Sequence, residues 1–525
     1  MRMNKAYLYL TEFFSGMAVM AVELGASRLL APYFSSSQIV WTIIIGTIMI
    51  AMALGNVWGG RAADRNPDPA RLFRRILVAS LWTAAIPSVG KYVILGVSGL
   101  LVLTVDTGFL VLASFLSCML LFVFPLFLLG TVTPSLVKYT VSDLQDNGRI
   151  VGTLGAMNTI GSILGTFLPT FVTIPAVGTA VTFYIFSGIL LLLAGIFFIR
   201  KRLHSWKLAA AVFLFFLFAI SGSRGSFAFW ENGLAYEGES VYNYLQVKDT
   251  PERTVLSTNV LFGVQSVYMK NEGFTGMYYD YALLAPALAS RQKENASLRE
   301  MLILGMGTGT YAGLCRRLFP EYRITGVEID PAITALARRY FALPGDIPVV
   351  TYDGRAFLQV NRKKYDVIMV DAYQDITIPF QMSSVEFFRM VKEHLTPDGI
   401  LTVNLNMRSG KSGSINDWLC ETIASVFPKV YLADVPGNTN RIVFAGNQMN
   451  TDQTGLPEDL YPPLEEFLKT VLSGLVKQEA KDRILTDDKA PVELLGMQVI
   501  DELIREELQY YKEIFRKEGF AGLLR

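Results

Sequence analysis

Before residue 222 the chain carries a series of uninterrupted apolar stretches, and nothing else in it limits the available folds so sharply. About 20 apolar residues in a helix cross the hydrocarbon core of a bilayer, where backbone polar groups must be satisfied within the segment itself. Spans read near 6–30, 39–60, 76–100, 108–137, 151–175, 179–199 and 207–221. The last is short for a crossing, and Pro87 and Lys91 make the third a candidate for a break. A multi-span α-helical membrane domain of six to seven helices over 1–222 is therefore expected, in contact with the lipid bilayer of the plasma membrane. The first stretch has no cleavage site and runs on to further spans, so it does not read as a cleavable signal.

Basic residues in short loops orient such a domain. Arg61, Arg65, Arg71, Arg74 and Arg75 place the second loop inside, Lys138 and Arg149 the fourth, and Arg200, Lys201, Arg202 and Lys207 the sixth. All agree with a cytoplasmic N-terminus. Seven full crossings would leave the C-terminal half outside, whereas six with an interfacial seventh, or a third that folds back, would keep it on the cytoplasmic side; parity leaves both open. Gly55-xxx-Gly59 and Gly161-xxx-Gly165 are small-residue faces suited to close helix packing. Glu12 and Glu23, about three helical turns apart, share a face of the first span. They read either as functional carboxylates or as partners of Arg28 or Lys91. Gly55 to Arg65 resembles the loop after the second helix of major facilitator transporters, though the chain has about half the usual number of spans.

Lys and Arg number 47 against 46 Asp and Glu, without long basic runs, so no nucleic-acid partner is expected. Cys118, Cys315 and Cys420 stand far apart and the chain has two histidines, which leaves neither a disulfide framework nor a metal-ligand spacing; no metal is expected.

From about 223 the composition turns mixed. Segments 240–247, 253–258 and 264–269 carry alternating apolar and aromatic residues between turn signals and read as a small antiparallel β domain over 223–293. Strands at 300–304, 323–328, 347–351, 366–371 and 399–405 then alternate with helical stretches such as 331–340 and 383–394. That alternation predicts a Rossmann-like, doubly wound α/β sheet of methyltransferase type over 294–450. A C-terminal helical extension over 451–525 follows, with Asp501, Arg505, Glu506 and Lys512 as a solvated face; Asp487 and Asp488 either cap a helix, the favoured reading, or reach the site. Ligands of such sheets bind at the carboxyl ends of the strands. There the chain places the turn Gly305-Met306-Gly307-Thr308-Gly309, then Glu328 and Asp330, then Asp353-Gly354, then Asp371. Glycines let backbone approach a nucleoside, Glu328 can take ribose hydroxyls, and an acid after the third strand can accept from an adenine amino group. Each acid has a plainer reading as a cap or loop residue; four strand ends in succession argue for a site.

The run from 237 to 407 resembles spermidine synthases and other aminopropyltransferases. The matching residues are Gly263-Val264-Gln265-Ser266, Tyr278-Tyr279-Asp280 with Pro286, Glu328-Ile329-Asp330-Pro331, Asp353 to Leu358, Asp371, and Glu386-Phe387-Phe388. With spans in front, the whole chain is similar to membrane-fused spermidine synthase-like proteins of prokaryotes, which carry stretches like Asp371 to Pro379 and Thr486 to Glu493. The resemblance implies transfer of an aminopropyl group from decarboxylated S-adenosylmethionine to a polyamine such as putrescine, giving spermidine and methylthioadenosine. It implies Asp371 and Tyr278 as catalytic residues. Gln265, Gly305, Gly307, Thr308, Glu328, Asp353 and Gly354 would hold the nucleoside, and Tyr278, Asp280 and Asp375 the amine. A homodimer through the soluble half is compatible with it. The chain departs from the family at Leu284, which replaces a polar residue, at Asp375, one position late, and at Thr308, where the family usually has an acid that meets the ammonium of the decarboxylated co-substrate. Thr308 keeps open ordinary S-adenosylmethionine and methyl transfer. Glu12 and Glu23 keep open a polyamine transporter or sensor.

Overall fold

The structure, a computed structural model, describes residues 4–518 apart from 36, 106, 142–146, 204, 224, 232, 261–263, 272, 291–297, 374–377, 452–455 and 458–459, so Asp375 and Gly263 lie outside the described residues. It divides into two compact units, Met1–Trp230 with Arg505–Arg525, and Glu231–Ile504.

The first unit is helical. α1 (Lys5–Phe34), α2 (Gln38–Arg65) and α3 (Pro69–Thr104) are followed by α4 (Phe109–Cys118), α5 (Phe124–Gly130) and α6 (Val132–Thr140), which form one apolar run through a π-helical turn at Met119–Val123. α7 (Asn147–Leu168) and α8 (Ile174–Arg200) are joined by a second π turn at Pro169–Thr173, and α9 is Ser205–Ser223. Among the described residues, six helices are long and apolar enough to cross a membrane: Lys5–Phe34, Gln38–Arg65, Pro69–Thr104, Phe109–Thr140, Asn147–Arg200 and Trp206–Ser223. The break expected at Pro87 is absent. Proline there costs one backbone bond of a 36-residue helix, and α3 runs through it. The interruption falls instead at Gly178, whose φ of 80° and ψ of 172° separate the apolar stretches 151–175 and 179–199.

Both glycine pairs are packing faces. A Cβ at Gly161 or Gly165 would run into the carbonyls of Phe13 and Met17 on α1, and one at Gly59 would stand 2.6 Å from the Thr131 Cα. Glu12 is fully buried; its Oε1 accepts from the Thr133 hydroxyl at 2.5 Å and the Asn158 amide at 2.8 Å. Lys91 donates to the Ser226 carbonyl at 2.9 Å. The outward faces remain apolar, with Ile50 58%, Leu192 66% and Phe213 68% exposed. Lys512 donates to the Val105 carbonyl at 3.2 Å, so the expected solvated face of the last helix includes a tethered lysine.

The second unit opens with a four-stranded antiparallel sheet, β1 (Leu234–Glu239), β2 (Tyr244–Asp249), β3 (Arg253–Ser257) and β4 (Ser266–Met269), in that order. The segment 240–243, read as strand from sequence, is the β1–β2 turn, closed by the Ser240 amide on the Asn243 carbonyl at 2.8 Å. Short helices α10 (Tyr278–Ala282) and α11 (Leu284–Ser290) lead into β5 (Arg299–Leu304), α12 (Thr310–Leu318), β6 (Tyr322–Glu328), α13 (Pro331–Tyr340), β7 (Val349–Thr351), α14 (Gly354–Val360) and β8 (Tyr365–Val370). After these come α15 (Val385–His394), β9 (Leu395–Leu405), α16 (Ile415–Val426), β10 (Lys429–Asp434), β11 (Arg441–Gly446), α17 (Pro462–Ser473), β12 (Val476–Lys477) and α18 (Val492–Glu518).

Strands β5 to β12 form one sheet in the order β12-β10-β11-β9-β8-β5-β6-β7. Its β9-β8-β5-β6-β7 part is parallel, and β10, β11 and β12 extend it antiparallel. Parallel strands covered on both faces need continuous apolar runs, and every residue of β8 is buried. Polar side chains start the helices: Asp330 caps α13, Asp353 α14, Ser384 α15 and Ser414 α16. The small sheet packs on α13 through Leu245, Val247 and Leu256 against Ile333, Leu336 and Phe341. Asp330 adds a polar tie, its Oδ2 accepting from the Ser240 hydroxyl at 2.5 Å and the Asn243 amide at 2.9 Å.

Candidate active site

The strand register explains why the polar groups meet. Leu304 pairs with Val327 and with Val370, Val327 with Val350, and Val370 with Val403. One residue further along each strand stand Gly305, Glu328, Thr351, Asp371 and Asn404. The chain leaves β5 for β6 on one side and returns to β8 on the other, so the crevice of a doubly wound sheet opens at β5 and β8. A cavity of about 250 Å³ lies there, lined among others by Gln265, Gly305, Glu328, Asp353 and Asp371.

Gly305, at φ 77°, is required by close approach: a Cβ would stand 2.6 Å from the Ala372 Cα. Glu328, 6% exposed, is fixed by backbone donors, its Oε2 accepting from the Gly307 amide at 2.8 Å and its Oε1 from the Asp330 amide at 3.0 Å. Burial lifts its carboxyl above the usual range, and those two amides act against the rise. Each oxygen keeps a lone pair for a hydroxyl. Asp353 combines its two readings, capping α14 through the Ala356 amide at 2.8 Å while it lines the cavity. The Gln265 Oε1 is buried with no partner among the described residues.

Asp371 sits at the centre. Its Oδ2 accepts from the Tyr278 hydroxyl at 2.7 Å and its Oδ1 from the Asn404 amide at 2.8 Å. Asn404 is held in turn by the Asn440 amide, 2.8 Å from its Oδ1. Burial pushes the Asp371 carboxyl up to about 7; the Tyr278 and Asn404 hydrogen bonds oppose this and the Glu328 charge adds to it. The Tyr278 hydroxyl is itself raised well above its ordinary value, first by burial and then by the Asp371 charge, so it stays a donor.

Of the residues singled out from sequence, Gln265, Gly305, Gly307, Glu328, Asp353, Gly354 and Asp371 line this one cavity, and Tyr278 bonds to Asp371. Two stand elsewhere. The Asp280 oxygens accept from the Thr275 and Gly276 amides at 3.0 and 2.7 Å, so this acid, 1% exposed, braces the turn before α10 instead of opening on the cleft. Thr308 is fully buried, its hydroxyl 3.3 Å from that of Thr310. Asn404, Asn440 and Asn243 were not singled out. Asn404 had a signal, an amide inside the apolar run Leu401-Thr402-Val403-Asn404-Leu405, but Asn440 and Asn243 sit in turns that sequence pattern does not connect to the site.

The chain is similar in sequence to known proteins. Residues 286–447 match the family described as the spermine/spermidine synthase domain. A probable polyamine aminopropyl transferase of Bifidobacterium longum is 57% identical over 319 residues, covering 57% of this chain and 70% of that protein. A polyamine aminopropyltransferase of Vibrio vulnificus is 26% identical over 288 residues, 51% of this chain and 93% of that one. Among solved structures, a probable spermidine synthase from Corynebacterium glutamicum aligns with a TM-score of 0.37 at 18% identity, over 49% of this chain and 98% of that one. The identity to the Bifidobacterium protein, over most of that protein's length, makes this chain a member of the spermine/spermidine synthase family, a spermidine synthase-like aminopropyltransferase.

Proposed function

We propose that the chain transfers an aminopropyl group from decarboxylated S-adenosylmethionine to a polyamine such as putrescine, with Asp371 as the base, and that its helical unit anchors it in a bilayer. The observation that carries the reading is the charge of the cavity. Glu328, Asp353 and Asp371 line it, and no Lys, Arg or His does among the described residues. Such a wall favours cationic ligands and disfavours a carboxylate, which ordinary S-adenosylmethionine would bring. Methyl transfer is therefore the weaker reading.

The residues suit the nucleoside. Gly305 lets the turn after β5 pack directly on the Ala372 backbone beside the cavity, Gln265 offers an acceptor, and Glu328 and Asp353 would take the ribose and the base. The co-substrate supplies a sulfonium whose neighbouring methylene carbon accepts the amine nitrogen as the carbon–sulfur bond breaks. Asp371 orients the amine and takes the proton that nitrogen releases on bonding; a carboxyl near 7 is matched to that task at neutral pH. Tyr278 and Asn404 occupy one lone pair on each Asp371 oxygen and fix the direction of the others. Methylthioadenosine leaves as a neutral thioether, and the sulfonium charge is cancelled when the Asp371 carboxylate takes the proton released by the newly bonded nitrogen. Bilayer anchoring is supported by the six long apolar helices and by exposed apolar residues on their outward faces, such as Ile50, Leu192 and Phe213.

Incubating the full chain in detergent with putrescine and either form of the co-substrate tests the reaction. Spermidine and methylthioadenosine are expected from the decarboxylated form alone. A methylated amine from the ordinary form would overturn the assignment. Co-flotation of the chain with lipid vesicles at high salt is expected of the anchored form.

A further inference from the structure

We infer that the segment Arg483–Lys489 is a strap that holds the wall of the nucleoside cavity in place, with Asp487 as its positioning residue. The inference rests on the nucleoside reading of the cavity.

The strap is tied along its length. The Arg483 amide donates to Glu421 Oε2 at 3.0 Å and the Leu485 amide to the Thr422 hydroxyl at 2.9 Å, both on α16. The Leu485 carbonyl accepts from the Val385 amide at 2.8 Å, and the Asp487 amide donates to Glu386 Oε2 at 3.0 Å, both at the start of α15. Leu485 is fully buried, and a turn closed between Thr486 and Lys489 reverses the chain.

What the strap holds is the cavity wall. The Arg355 guanidinium donates to both oxygens of Asp487, at 2.7 and 2.6 Å, and also to the Gln381 carbonyl at 2.8 Å. The Ser384 hydroxyl, which caps α15, donates to the same Asp487 at 2.5 Å. Arg355 directly follows Asp353 and Gly354, which line the cavity from one side, while Pro379, Gln381 and Met382 line it from another. The two sides touch closely enough that a Cβ on Gly354 would stand 3.1 Å from the Met382 methyl. A planar guanidinium fixed by a two-pronged carboxylate sets the spacing of both walls, which a point charge would not. The Asp487 side chain is 38% exposed and is not among the residues lining the cavity, so it acts on the nucleoside through Arg355 and Ser384. Exposed ion pairs add little to overall stability. This one changes the shape of a binding wall.

The test uses the full chain in detergent and methylthioadenosine as the probe. Asp487→Ala is expected to weaken methylthioadenosine binding about tenfold and to raise KM for the nucleoside co-substrate by a like factor, with kcat at saturation within about threefold of wild type. Asp487→Glu, which keeps the carboxylate, is expected to recover most of the loss. A general loss of structure would lower kcat and the active fraction without this split. Should Asp487→Ala not fold, Arg355→Lys, which keeps the charge and loses the fork, is expected to raise the same KM. Wild-type chain that binds no methylthioadenosine overturns the reading of the cavity and the strap with it. Wild type that binds, with variants that bind equally well, overturns the strap alone.

Discussion

Replacing Asp371 by Asn is expected to make the protein inactive and to remove a loss of stability that the wild type suffers as pH rises towards neutrality. Burial raises this carboxyl from the usual 3.8 to about 7. The folded state then holds a proton that the unfolded chain has released, so stability falls as pH rises from about 4 to about 7 and levels off beyond. At about 1.4 kcal/mol for each step of pH, the full loss is at most about 4 kcal/mol. Part of Asp371 faces the cavity, where water screens its charge, so the smaller side of that figure is expected. Roughly two thirds of the loss lies above pH 5.

Asparagine cannot ionise and removes this slope. It also carries a cost that does not depend on pH, because its amide would face the amide of Asn404 where the carboxylate now accepts. Comparing two pH values cancels that cost. Thermal unfolding of the full chain in detergent, without nucleoside, is the assay. At about 1–2 °C for each kcal/mol in a chain of this size, the melting temperature of Asp371→Asn minus that of wild type should rise by a few degrees, at most about 5 °C, between about pH 5 and about pH 8. kcat should fall about 10²–10⁴-fold in the same preparation. An equal difference at both pH values would mean that Asp371 is already ionised at the lower one, and the account of a base poised near neutrality would be wrong.

Tyr278→Phe removes one of the two donors that hold the Asp371 carboxyl down, so the acid limb of the kcat/KM profile should move up by about one pH unit, read from a pH series with saturating amine. Asn404→Ala should shift the same limb in the same direction. It should also cost about 1–3 kcal/mol in thermal unfolding, because it strips Asn440 of its acceptor. Gly305→Ala should abolish methylthioadenosine binding by calorimetry and lower the melting temperature, since alanine at φ 77° is strained and its methyl would meet Ala372.

What could be read from sequence follows the reach of the forces involved. Apolar length and strand alternation are local, and β5, β6, β8, α13 and the long last helix emerge close to their expected positions. β10, β11 and β12 were not read as strands: β10 and β11 form an antiparallel pair outside the strand–helix alternation, and β12 has two residues. β1 was missed because its Leu-Ala-Tyr-Glu-Gly-Glu run alternates weakly. Asp487 read as a cap because sequence does not say that Arg355, 132 positions earlier, stands opposite it.

Asp280 and Thr308 are the sharper lesson, since both lie inside matching motifs. Burial decides them. At 1% exposure Asp280 is taken up by two backbone amides, so a carboxylate at the right place in a motif still need not meet the ligand. Thr308 raised the prospect of a changed co-substrate, because it lacks the charge that would pair with an ammonium. Turning a site toward a carboxylate takes more than the loss of one acid; it takes a donor of positive charge in its place. Thr308 is fully buried beside Thr310, which donates to the Val267 carbonyl at 2.9 Å, and the cavity in front of it is lined by acids without a basic side chain among the described residues. The substitution thus subtracts one contact from an acidic site and leaves the sign of the site as it was.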